Sequence, residues 1–192
     1  MKTSKILVGA LAVSLAAASA FAHGGATGVV KERMDAMGAL KDAMKALSPM
    51  MQGKTPYDAD FVGQQAAIIG KHAGTDLTEL FPEGTLDKPS EARPEIWENW
   101  SDFERLAEEL ATLSEGLALA SKNGLMMAGN SSTGMMGSGN HAMMGNQGGM
   151  MMQGGMAKTP SLEELSKMPA DGVFMMLSQS CSACHTLYRV EK

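Results

Sequence analysis

Cys181-Ser182-Ala183-Cys184-His185-Thr186-Leu187-Tyr188-Arg189 stands near the C-terminal end of the chain and decides how the rest is read. Val173, Met176, Leu177, Cys181, Cys184 and Tyr188 recur on one face of a helix expected from about Ala170 to Val190. On such a helix two thiols three apart share a face. His185, four after Cys181, shares it too. Cys-x-x-Cys-His is the attachment signature of c-type haem. Both thiols can add to porphyrin vinyl groups, and the imidazole can reach the iron from the side of the helix. A thioredoxin-like redox pair would follow a strand, and none is expected here. A zinc site would want two further ligands of similar spacing, and the chain has only 2 cysteines. The expectation is one covalent haem c on Cys181 and Cys184, with His185 as the proximal iron ligand.

The opposite end fits that chemistry. Lys2 and Lys5 precede an apolar run from Ile6 to Ala20, and Ala20-Phe21-Ala22 has the small-x-small pattern of a cleavage site. Residues 1–22 therefore read as an export signal, with a mature chain from His23, in the periplasm of a Gram-negative bacterium. No later stretch is apolar for the ~20 residues that a membrane-spanning helix requires. Loss of the signal removes two lysines and no acids, so the formal charge moves from -5 to -7. Such an acidic chain is a poor partner for nucleic acid. In an oxidising compartment two free thiols invite a disulfide, whereas haem attachment consumes both.

The remainder is all-α. Met37, Leu40, Met44, Leu47 and Met51 are spaced three, four, three and four apart in a helix from Gly28 to Met51, which Gly53 and Pro56 end. A second helix spans about 58–73, with Phe61, Ile68, Ile69 and His72 available to a core face. Residues 74–93 read as a long connection carrying turn signals at Phe81-Pro82-Glu83-Gly84 and Lys88-Pro89. A third helix, 94–121, places Trp97, Trp100, Phe103, Ala107, Leu110, Leu113 and Leu117 on one face. Ser161 and Glu164 are spaced as a capping box ahead of the last helix. Four such helices with inward apolar stripes make an antiparallel four-helix bundle. Cytochrome c′ is the standard named instance of that architecture.

Here a resemblance becomes specific. Cys181-x-x-Cys184-His185-x-x-Tyr188-Arg189 resembles the haem motif of the class II cytochromes c, meaning cytochrome c′ and its low-spin, Met-ligated relatives. Arg33-x-x-x-Met37, Met44-x-x-Leu47 and Gly53-Lys54-x-Pro56-Tyr57-Asp58 are similar to the family's first helix and turn, and Leu80-Phe81-Pro82 and Ile96-Trp97 also fit. The resemblance covers Val29 to Ser121 and Ala170 to Lys192.

Function turns on the other axial position of the iron. A Met thioether there gives a low-spin, higher-potential iron suited to electron transfer, and an open position admits small gases. Met37 lies on the apolar face of the first helix, where a methionine can equally be a packing residue. The resemblance implies ligation, because Met-ligated members carry their axial Met four residues after the arginine. Met34 and Met44 are fallbacks, and His72 would give bis-His ligation. Arg33, one turn from Met37, is expected to offer its planar fork to a haem propionate. The resemblance puts Arg189 beside the proximal histidine. Trp97 and Tyr188 are expected to pack on or near the porphyrin, or simply in the core. The leading reading is a periplasmic electron carrier that turns over no substrate and meets redox partner proteins. A five-coordinate cytochrome c′ binding NO or CO is the alternative. The resemblance also implies a possible homodimer through the first two helices.

Asn123 to Ala157 departs from the family. Ten of its 35 residues are Met and ten are Gly, and none is Asp, Glu, Lys or Arg. It reads as a flexible low-complexity insertion. Its methionines fall in groups: Met126-Met127, Met135-Met136, Met143-Met144 and Met150-Met151-Met152. Thioethers are soft ligands for Cu(I). Met135, Met136, His141, Met143, Met144, Met150 and Met151 are thus candidate copper ligands, against a ligand-free linker or a pool of oxidisable Met. On the copper reading, Cu(I) titration of the full chain shows tight binding that a chain lacking 123–157 loses. Equal binding by both eliminates it.

Overall fold

The computed structural model describes residues 25–126 and 159–191. The expected export signal 1–22, His23, the stretch from 127 to 157 and every candidate copper ligand named above lie outside the described residues.

Among the described residues eight helical pieces appear, in this order: α1 (Gly28–Met51), α2 (Ala59–Lys71), α3 (Thr75–Thr78), α4 (Glu95–Glu98), α5 (Trp100–Ala120), a 3-10 turn (Ser121–Asn123), α6 (Leu162–Leu165) and α7 (Ala170–Tyr188). The long helices α1, α2, α5 and α7 form the bundle. α1 packs on α2, α2 on α5 and α5 on α7, and α1 closes the ring against α7 along its sparsest seam. There is no strand among the described residues, only an isolated bridge between Ala92 and Arg189.

Local chemistry sets the ends. Asp58 caps α2, accepting from the Asp60 and Phe61 amides at 3.0 Å each. After α1, Gly53 adopts φ +67°, a left-handed conformation that glycine takes without strain, and its amide bonds to the Met50 carbonyl at 3.0 Å. The Tyr57 hydroxyl then donates to the Ser121 carbonyl, tying the α1–α2 turn to the end of α5. The Ser161–Glu164 capping box forms as expected and starts α6.

Three expectations need correction. The third helix is not continuous: Asn99, at φ -124° and ψ 41°, separates α4 from α5, while its amide and side chain both donate to the Glu95 carbonyl. An asparagine satisfies its neighbours' backbone groups locally in this way at little cost. The connection after α2 contains the short helix α3. In α2 the buried stripe is Val62, Ala66 and Ile69, and Ile68 is exposed.

The core is built around α5. Phe103, Leu106, Ala107, Leu110, Leu113 and Leu117 are buried with Leu47 of α1, Ile69 of α2 and Val173 and Leu177 of α7. α6 seats Leu165 against Gly116, where an added Cβ would stand 2.5 Å from the Leu165 Cδ1 and 2.8 Å from its Cβ. Gly116→Ala should therefore overpack this seam and cost about 1–3 kcal/mol of stability by denaturant titration. An unchanged midpoint would show that α6 moves aside freely.

Candidate haem site

α7 presents Cys181 and Cys184 half-buried, free of any disulfide and packed against the core. Burial pushes both thiols above their ordinary pKa. For Cys184 it does so with help from the charges of Cys181 and Asp102, up to about 11. His185 is exposed by area. Enough protein still crowds it that desolvation, then the positive charge of Arg189, holds its pKa below the ordinary imidazole value, against an opposing effect of Glu91. Its ring is thus neutral near pH 7, with a lone pair to give.

The donor set fits a covalent haem c. Two thiols free of any disulfide share one face of a helix, a neutral imidazole follows them, and the helix carrying them packs against the helix carrying Met37. Met37 is half-buried at the flank of the α1 stripe, whose centre is Arg33, Ala36, Leu40, Ala43 and Leu47. A flank position leaves the thioether at the edge of the core. Among the described residues, no group of three or more His, Cys, Asp or Glu side chains is placed to hold a bare metal ion.

The other expected haem neighbours are placed by protein contacts. Arg33 is bonded within the protein. It is 4% exposed. Every N–H of its guanidinium donates to the 80–90 segment: Nε to the Leu80 carbonyl (3.0 Å), Nη2 to the same carbonyl (2.7 Å) and to Thr85 Oγ1 (2.8 Å), Nη1 to the Thr85 carbonyl (3.0 Å) and to Ser90 Oγ (2.9 Å). A guanidinium has five N–H donors, so this one has none left for a propionate. Burial lowers its pKa. Tyr188 is buried in the core: its ring stands edge-on to Phe103 at 5.5 Å, and its hydroxyl donates to Asp102 Oδ2 at 2.9 Å. Burial, then that carboxylate, push its pKa up to about 12. The Trp97 indole N–H donates to the Phe81 carbonyl at 2.9 Å. The Arg189 guanidinium donates to Glu91 through Nε at 2.8 Å and Nη2 at 2.6 Å.

A family profile described as cytochrome c′ matches residues 28–138. The chain belongs to the cytochrome c′ family. It is accordingly a haem c cytochrome. The matched span ends inside the Met/Gly-rich stretch, so the insertion separates the cytochrome c′ helices from the Cys-x-x-Cys-His motif in sequence, though not in the fold. Cytochrome c-556 of Agrobacterium tumefaciens (strain B2A) is 39% identical over 85 residues, which is 44% of this chain and 68% of that protein. Cytochrome c prime from Shewanella frigidimarina superimposes with a TM-score of 0.54 at 19% identity, over 85% of this chain and 94% of its own. The nitric oxide complex of a variant cytochrome c prime from Alcaligenes xylosoxidans superimposes with a TM-score of 0.55 at 21% identity, again over 85% and 94%. At those identities the solved structures establish the bundle alone.

Sequence reasoning had no signal for Asp102. It sits in the first turn of α5, accepts from Tyr188, and pairs with Arg105 at 2.7 Å. The Arg105 hydrogen bond, and to a lesser degree the Tyr188 hydroxyl, hold its carboxyl below the usual range against desolvation. A carboxyl depressed in the folded state stabilises above its unfolded pKa, and the contribution disappears as pH falls through the folded value. Asp102→Asn should cost about 1 kcal/mol at pH 7, since a charged hydrogen bond is partly screened by solvent here. The gap to wild type should close below the carboxylate range. A gap that persists at acid pH would exclude the charge as its cause.

Proposed function

We propose that this cytochrome is a periplasmic electron carrier whose haem is attached to Cys181 and Cys184 and whose iron is held by His185 and Met37. The observation that carries the reading is the placement of Met37: half-buried at the flank of the α1 stripe, on the helix that closes the bundle against α7. The Arg33-x-x-x-Met37 spacing of the Met-ligated relatives supports it. When bound, the haem would supply the one-electron couple, and axial thioether ligation would raise its potential and so favour the reduced form.

The chain's own residues do the rest. His185 stays neutral and so available to the metal, because desolvation and Arg189 both disfavour its imidazolium. The half-buried cysteines fix the porphyrin to α7, and the core of α5 excludes water behind them. Export is supported by residues 1–22, and no described helix is long and apolar enough to cross a membrane. The partners on this reading are redox proteins that meet an exposed haem edge, with no substrate turned over.

The second reading is an open iron that binds NO or CO; one of the structures sharing the bundle is a nitric oxide complex. Spectra separate the two. The ferrous protein should be low-spin with a sharp α/β pair, and the ferric protein should carry the weak far-red thioether-to-iron band. Met37→Ala should abolish that band, give a high-spin iron and admit CO. A high-spin ferrous wild type would refute Met37 as the ligand, and an unchanged spectrum in Met37→Ala would transfer the role to another residue.

A further inference from the structure

Residues 80–93 are bonded at both ends to the helices that bear the axial groups. On one side, Arg33 is wholly consumed by Leu80, Thr85 and Ser90, and its guanidinium carbon lies 4.1 Å above the centre of the Phe81 ring. Arg33 stands four residues before Met37 and thus on its face of α1. On the other side, the Arg93 amide donates to the Tyr188 carbonyl at 3.0 Å and the Val190 amide to the Glu91 carbonyl at 2.9 Å. Ala92 bridges Arg189, and Arg189 pairs with Glu91 through Nε at 2.8 Å and Nη2 at 2.6 Å. Those contacts begin three residues after His185.

We propose that Arg33 is a positioning residue for the iron's distal ligand: through the 80–93 connection it fixes the register of α1 against the end of α7, and so the placement of Met37 relative to His185. This rests on the Met37–His185 reading above. The geometry makes the register matter. A slip of α1 by one residue would carry the Met37 sulfur about 1.5 Å along the axis and about 100° around it, which no thioether bond to a fixed iron survives. The α1–α7 seam is sparsely packed, so it cannot hold that register alone. The two ends differ in strength. The Glu91–Arg189 pair is partly exposed and contributes little by itself, leaving the two backbone bonds to secure α7. The α1 end depends on a buried cation, whose release would leave an unpaired charge and several bare acceptors.

The test uses the haem-loaded full chain and approaches the contact from both sides. Arg33→Lys keeps the charge but cannot serve the acceptors on Leu80, Thr85 and Ser90 together. The Thr85→Val, Ser90→Ala double variant leaves α1 untouched and removes two hydroxyl acceptors from the connection. Gly116→Ala is the control, destabilising the bundle at the α5–α6 seam. Ferric far-red absorbance and ferrous CO affinity are measured where circular dichroism shows full helicity. Both loop-contact variants should weaken the band severalfold. Both should also raise CO affinity about tenfold, as the fraction of protein with the distal position open increases. The control should keep the wild-type band and affinity. If Arg33→Lys does not fold, the double variant decides alone. Wild-type spectra in both Arg33→Lys and the double variant, with the thioether band present in the wild type, overturn the positioning role and leave Met37 as ligand. Equal band loss in Gly116→Ala reduces the role to general stability and overturns it as well. Absence of the band from the wild type removes Met37 as ligand and this proposal with it.

Discussion

Burial of the apolar face of α5 is the constraint on which the rest of the molecule depends. That helix touches α2, α3, α4, α6 and α7. Its Phe103, Leu113 and Leu117 are sealed from solvent to within 1%. Each such side chain contributes roughly 1.5–3 kcal/mol on burial, and α5 is the helix that meets the most neighbours. α2 and α7 are therefore fixed by what they place on α5. Their separation, in turn, determines where the half-buried cysteines of α7 come to rest. α1 is the exception. It reaches the bundle through α2 and through a thin seam with α7, so its exact register needs another source.

The buried guanidinium of Arg33 supplies it. A cation sealed in protein must have its donors satisfied, and a single side chain with five N–H groups can organise a long irregular segment around itself. The 80–93 connection has no regular secondary structure of its own before α4, yet it is anchored at Leu80, Thr85 and Ser90 by Arg33 and at Glu91 and Arg93 by the end of α7. Phe81 serves both sides of this arrangement: its ring takes the cation on one face and meets Phe103 edge-on at 4.9 Å. The long connection thus joins the two helices that the core of α5 holds least directly to one another.

Electrostatics divide along the same line. The groups on α7 are tuned by burial: both thiols are pushed up, and the imidazole is kept neutral. The carboxylate of Asp102 balances that end of the bundle, receiving the Tyr188 hydroxyl and the Arg105 guanidinium. An acid placed in the first turn of α5 is also favoured by the helix dipole.

The sequence by itself determined the all-α bundle, the haem attachment and the family. Periodicity of 3.6 gives α1 its bounds, and the Cys181–His185 spacing names its cofactor, because both are local properties of a chain on a helix. It could not determine that Asn99 breaks the third helix, since a local hydrogen bond there competes with a pattern that otherwise continues. Nor could it tell the role of Arg33. An arginine one turn from Met37 invites a propionate when only spacing is known. The acceptors that take its donors lie 47 to 57 residues away, brought close only when the chain folds back. Asp102 and Tyr188, 86 residues apart, were invisible as a pair for the same reason. Tertiary structure decided every contact of long sequence separation, because a side chain's partner is set by which backbones the core draws together and not by its neighbours along the chain.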